Sequence, residues 1–160
     1  MSSVHAAGTS RAPSFVSVVN PVIRRLVGAG MPFGPNVLLT VRGRTSGVPH
    51  TFPVAVVELD GRRFVQSPFG AVNWVRNLRA SGEAIVTKGR RREDVDAVEI
   101  APEDGGPILR DAFAPYLRSR VLAAVLGRFF KVSPASTLED YVAEARRHPM
   151  FELRPKTPGR

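Results

Sequence analysis

The chain has 160 residues, 43% of them hydrophobic, no cysteine, and a formal net charge of +9. That length suits one domain with one core, and the missing cysteine excludes disulfides, thiolate nucleophiles and cysteine-ligated metals. The charge favours anionic partners. It is carried almost wholly by arginine, since lysine occurs three times, and no Asp or Glu precedes Glu58. Aromatics interleaved with basic residues, as in single-strand binders, are not evident, so no nucleic-acid partner is expected.

Residues 1–13 are small and polar and are expected to be disordered. The rest, 14–160, is read as a single domain. From Ser14 to Met31, Phe15, Val18, Val19, Val22, Ile23, Leu26 and Val27 fall at helical spacing, with Arg24 and Arg25 off the apolar stripe. Three uses of this segment stay open: a core helix, a lid over an acceptor pocket, or a weak peripheral contact with an anionic membrane. No apolar run approaches the roughly 20 residues that span a bilayer, and Met1 to Thr9 lacks the features of a secretory signal. A cytoplasmic location is expected, with any membrane contact peripheral and at the inner face.

Val37 to Val41 reads as a strand. Thr51 to Leu59 reads as another, with Pro53 placing its start at an edge or a bulge. Asp60-Gly61 is a strong hairpin signal, and Arg63 to Ser67 returns as the paired strand. Asn73 to Ala80 reads as a short helix capped by Asn73 and stopped by Ser81-Gly82. Glu83 to Lys88 and Glu93 to Ile100 form a second hairpin across Gly89-Arg90-Arg91-Arg92. Pro102 to Tyr116 and Leu117 to Lys131 read as helices. Ser136-Thr137-Leu138-Glu139 resembles a capping box for a helix to Arg147, and Met150 to Leu153 reads as a last strand. Antiparallel strands with helices grouped at the ends indicate an α+β fold around a small barrel.

The stretch richest in chemistry is Gly43-Arg44-Thr45-Ser46-Gly47. With Arg42 it offers two guanidinium groups, two hydroxyls and glycine-exposed backbone donors, which together suit an anion. The plain alternative is a solvated basic hairpin turn. Other chemistry fails on spacing. His5, His50 and His148 form no metal-ligand cluster, there is no nucleophile elbow, and Gly28-Ala29-Gly30 does not complete a dinucleotide fingerprint. No catalytic side chain is assigned. What remains is a protein that binds a cofactor and leaves the chemistry to it, or a binding module.

Gly43-Arg44-Thr45-Ser46-Gly47, Pro49, Pro53, Asp60-Gly61, Asn73-Trp74 and Asn77-Leu78, taken in order, resemble the deazaflavin-dependent nitroreductase family. The likeness runs from about Val37 to Ile100, with an echo at His148-Pro149-Met150-Phe151. The family usually has Arg where this chain has His50, and a Ser-Lys-Gly-Gly-like loop where it has Ser67-Pro68-Phe69-Gly70. The resemblance implies a split β-barrel and a reductase that passes a hydride from reduced coenzyme F-420, an 8-hydroxy-5-deazaflavin, to a small apolar acceptor such as a quinone or nitro compound. It implies contacts to the coenzyme's phosphate and glutamate tail from Arg42, Arg44, Thr45 and Ser46, with Gly47, His50 and Pro53 around them. Ser67, Phe69 and Gly70 would approach the ring. Trp74 stands either against the ring or in the core, and Asn77 either donates to the chromophore or lies on the helix surface. Tyr116 and Tyr141 are the candidate acceptor-pocket residues. The rival reading is a non-catalytic carrier of a lipid or other hydrophobic ligand in the same barrel cleft.

Overall fold

A computed structural model describes residues 37–157, so the expected disordered start and the expected helix from Ser14 to Met31 lie outside the described residues. The strands are β1 (Val37–Arg42), β2 (Pro49–Val54), β3 (Val56–Leu59), β4 (Arg62–Gln66), β5 (Glu83–Lys88), β6 (Arg91–Glu99) and β7 (Met150–Pro155). The helices are α1 (Asn73–Ser81), α2 (Pro102–Leu117), α3 (Arg120–Leu126) and α4 (Leu138–Arg147). All seven strands join one antiparallel sheet in the order β2-β1-β5-β6-β7-β4-β3.

That order forces the shape. The expected single strand from Thr51 to Leu59 is two strands, β2 and β3, separated by Ala55 alone, yet they occupy opposite edges of the sheet. Consecutive Cα atoms are about 3.8 Å apart, so the sheet must curl until its edges meet at Ala55. No ladder joins β2 to β3, and the barrel stays split there. Pro53 sits in edge strand β2 opposite Leu38, where a missing N–H is tolerated.

The curled sheet separates two cores. Inside, Leu39, Val41, Val65, Val75, Leu78, Val86, Val95, Phe151 and Leu153 pack together. Outside, Phe64 packs with Leu109, Phe113, Leu126, Phe130, Tyr141 and Met150 beneath α2, α3 and α4. Alternation along β4 assigns Phe64 to one cluster and Val65 to the other, as the two-residue period of a strand requires.

Local chemistry corrects several expected boundaries. The Asp60-Gly61 turn holds, with both residues at positive φ, 50° and 73°. The β5–β6 turn is only Gly89-Arg90, because Arg91 and Arg92 already pair with Lys88 and Thr87. The expected helix to Lys131 stops at Leu126, and Phe129 and Phe130 pack from the loop beyond it. The capping box is real but one residue later: Thr137 Oγ1 accepts from Asp140 N, and Asp140 Oδ2 accepts from Thr137 N. Asn73 does not cap α1. The capping position is Val72, with no side-chain bond, and Asn73 is freed for another use.

On the outer face of β7, Glu152 is buried and accepts from Arg62 Nε and Nη2, each at 2.9 Å, and from Arg154 Nη2 at 2.9 Å. The Arg62 hydrogen bonds, then those of Arg154, hold its carboxyl down from 4.5 to about 2. A depressed carboxylate contributes stability above its unfolded value and loses it as pH falls through the folded one. The stability difference between the parent and Glu152→Gln should therefore be full above pH 4.5 and disappear as pH falls toward about 2. Urea unfolding at a series of acid pH values checks this, and a difference independent of pH would refute it.

Candidate functional site

The β1–β2 connection is built from its own glycines. Gly43 N donates to Val48 O at 2.8 Å and Gly47 N donates to Gly43 O at 2.9 Å. A Cβ on Gly43 would lie 2.8 Å from Ser46 Oγ and 3.1 Å from both Val48 O and His50 Nε2. A side chain there would displace the Ser46 hydroxyl and press on the Val48 carbonyl. Ser46 Oγ accepts from Val48 N at 3.2 Å, and Arg42 Nη1 donates to Gly47 O at 3.3 Å. Arg42 thus staples the turn and does not line the space beside it.

That space is a hollow of about 370 Å³ between the turn and the start of α1, lined by Gly43, Arg44, Thr45, Ser46, His50, Phe52, Asn73 and Asn77. Arg44 is positioned across it by Asn77, which is buried in α1. Asn77 Oδ1 accepts from Arg44 N at 3.3 Å and from Arg44 Nη1 at 2.7 Å. The burial of Asn77 sets aside the surface-amide role, and its Oδ1 clamps the arginine. The wall contains a guanidinium, two hydroxyls, two amides and an imidazole, and no carboxylate. This donor set fits an anion.

Two lining residues were not legible in the sequence. Phe52 shares a strand face with His50, two residues away, with ring centroids 6.4 Å apart. Asn73 stands one helical turn before Asn77 on α1. Period and register mark both once the hairpin is known.

The remaining expected site residues lie elsewhere. Pro53 is buried in β2 beyond the hollow. Trp74 is 9% exposed and packs in the barrel core, its ring 6.4 Å from that of Phe151. Tyr141 is buried in the helical core, where burial pushes its phenol up, and Tyr116 packs against that same core. Neither tyrosine lines the hollow.

Ser67, Phe69 and Gly70 form a separate anchored loop that leads into α1. Ser67 is fully buried, its Oγ donates to Gly70 O at 2.5 Å, and its N donates to Pro149 O at 3.0 Å. His148 holds it from the other side. Nδ1 of His148 faces Ser67 O at 3.1 Å and Nε2 faces Glu144 Oε2 at 3.1 Å. Glu144 is buried and its other oxygen accepts from Arg147 Nη1 at 3.1 Å. Phe69, 57% exposed, meets Phe129 edge-on at 6.1 Å.

The profile of the F420H(2)-dependent quinone reductase family matches residues 18–116, which contain the turn, the hollow and α1. The chain belongs to that family. It is a deazaflavin-dependent oxidoreductase, and its cofactor is coenzyme F-420. No curated protein matches the chain. Among solved structures, the haem storage protein HutZ from Vibrio cholerae aligns at 14% identity over 88% of this chain and 92% of its own, with a TM-score of 0.50. An F420-H2 dependent reductase, FDR-A, aligns at 22% identity over 75% of this chain and 94% of its own, with a TM-score of 0.45. At such identities the HutZ likeness speaks for the fold alone. The curled, split barrel with helices around it is the expected α+β class.

The burial of Trp74 makes a structural prediction for this reductase. Trp74→Ala should lose about 3–5 kcal/mol of stability, as for a large aromatic removed from a packed core. Trp74→Phe should keep the coenzyme affinity of the parent. Denaturant unfolding and calorimetric titration check the two halves, and a Trp74→Ala protein of unchanged stability that has lost coenzyme would place Trp74 at the ring.

Proposed function

We propose that the Gly43–Gly47 turn and the Asn77-clamped Arg44 seat the phosphate and acidic tail of coenzyme F-420, and that the acceptor reduced is a quinone. The carrying observation is the hollow itself, with its fixed guanidinium and its carboxylate-free wall. Bound here in reduced form, the coenzyme supplies the hydride; the chain supplies position and charge. Arg44 meets the anion as a planar fork whose Nη1 is already oriented by Asn77, so little rotamer freedom remains to be lost on binding. Thr45 and Ser46 add hydroxyls beside it, and His50 closes the same wall. The Ser67–Gly70 loop is tied down by His148 and Pro149, which suits it to orienting a ring. The family's description favours a quinone over a nitro compound as acceptor.

Arg44→Ala should weaken coenzyme binding by about 1.5–3 kcal/mol, the scale of a charge-assisted hydrogen bond. Equal calorimetric affinity in parent and variant would remove the turn from the site. His50 supplies a second test. A guanidinium in place of the imidazole adds a permanent cation to the wall, so His50→Arg should tighten binding of the anionic tail, read by calorimetric titration. An affinity unchanged in His50→Arg would show that position 50 takes no part.

A further inference from the structure

A second cavity lies at the other end of the barrel from the β1–β2 turn. It measures about 730 Å³ and opens where β1 begins and where the β3–β4 and β5–β6 turns meet the end of β7. β1 runs from one site to the other: Val37 lines this cavity and Gly43, just past the strand, lines the hollow. The two sites are therefore separated by the packed barrel core.

The walls change character with depth. Val37, Val56, Val86 and Leu153 are apolar and belong to, or pack on, the barrel core. Nearer the turns the lining is ionic, with five cationic side chains, Arg62, Arg63, Lys88, Arg91 and Arg154, against three carboxylates, Glu58, Glu93 and Glu152. Two of those carboxylates are spoken for. Glu152 is held by Arg62 and Arg154, and Arg63 Nη1 and Nη2 donate to Glu93 at 2.8 and 3.0 Å. Glu58 stands opposite Arg63 across the β3–β4 ladder.

Lys88 and Arg91 are different. They are directly opposite one another across the β5–β6 ladder, and among the described residues neither has a carboxylate in ion-pair contact. Like charges at facing strand positions are destabilising; the charge of Glu93, held by Arg63, reaches Arg91 only from beyond ion-pair distance, so an anion placed between Lys88 and Arg91 would relieve the repulsion. Two residues inward from Lys88 the same strand presents Val86 to the apolar floor.

We propose that this barrel mouth is a second binding site, for an anionic amphiphile: a carboxylate or phosphate head between Lys88 and Arg91, with its hydrocarbon body against Val37, Val56, Val86 and Leu153. The size lies in the usual range for small-molecule pockets, roughly 300–1,000 Å³. The chain's own first 36 residues carry Arg11, Arg24 and Arg25 and no acidic side chain, so they do not complement the charge of this mouth. The site is distinct from the hollow proposed above for the coenzyme tail.

The test titrates the full chain with sodium laurate below its micelle concentration, alongside acetate, inorganic phosphate and dodecanol. Laurate should bind at least about tenfold more tightly than any of the other three, since a charge-assisted contact and apolar burial are each lost in the controls. Binding should be lost in Lys88→Glu/Arg91→Glu and shift the methyl resonances of Val86 and Leu153. Excess coenzyme F-420 should not displace it. Because a reversed charge could disturb the hairpin, Lys88→Gln/Arg91→Gln is measured too and should weaken laurate by the same order. Laurate binding unaffected by either double variant, equal binding of phosphate or dodecanol, displacement by the coenzyme, or no binding by the full chain would each overturn the site.

Discussion

One covalent constraint governs this protein. Ala55 alone connects two strands at opposite edges of a seven-stranded sheet, and two Cα–Cα steps of about 3.8 Å cannot span a flat sheet of that width, given strands about 4.8 Å apart. The sheet must curl. Curling buries the alternate residues of every strand in one interior cluster and turns the others outward, where α2, α3 and α4 cover part of them. It also creates two barrel ends of different chemistry. One is closed by the β1–β2 turn and α1; the other opens to the ionic ring around Lys88 and Arg91.

At the closed end, a charged side chain is held in place by a neutral one. A surface arginine ordinarily surrenders rotamer entropy when it grips an anion. Here part of that cost is met on folding, because the buried amide of Asn77 receives both the backbone N–H and Nη1 of Arg44. The arrangement also explains why α1 starts as it does. With Val72 at the capping position, Asn73 faces the hollow and does not cap its own helix. A local preference for capping yields here to a tertiary placement, in the wall of the hollow.

The anchoring of the Ser67–Gly70 loop shows a longer reach. Its carbonyl is held by a histidine 81 residues later in the chain, itself held by the carboxylate of Glu144. The loop and the C-terminal end of α4 are therefore one mechanical unit, although they belong to different parts of the sequence.

Much of this was readable from the residues. Period-two alternation, Asp60-Gly61 and Gly82 are local signals, and each marks the element or the stop that the chain adopts. The basic glycine-bounded turn and its family resemblance led to the right cofactor class. Tertiary structure alone decided the rest. That Thr51 to Leu59 is two strands depends on which edges they join, which periodicity does not encode. Arg42 and Arg44 look equivalent in sequence, yet one staples the turn and the other lines the hollow, because only Arg44 comes within reach of Asn77. Trp74, Tyr116 and Tyr141 were candidate site residues by type, and packing placed all three with the hydrophobic clusters. His148 had no partner in its own segment but Glu144; its second, Ser67, is brought to it by the pairing of β4 with β7. Local sequence sets propensity and capping within a few residues, whereas contacts between distant residues exist only once the sheet has closed.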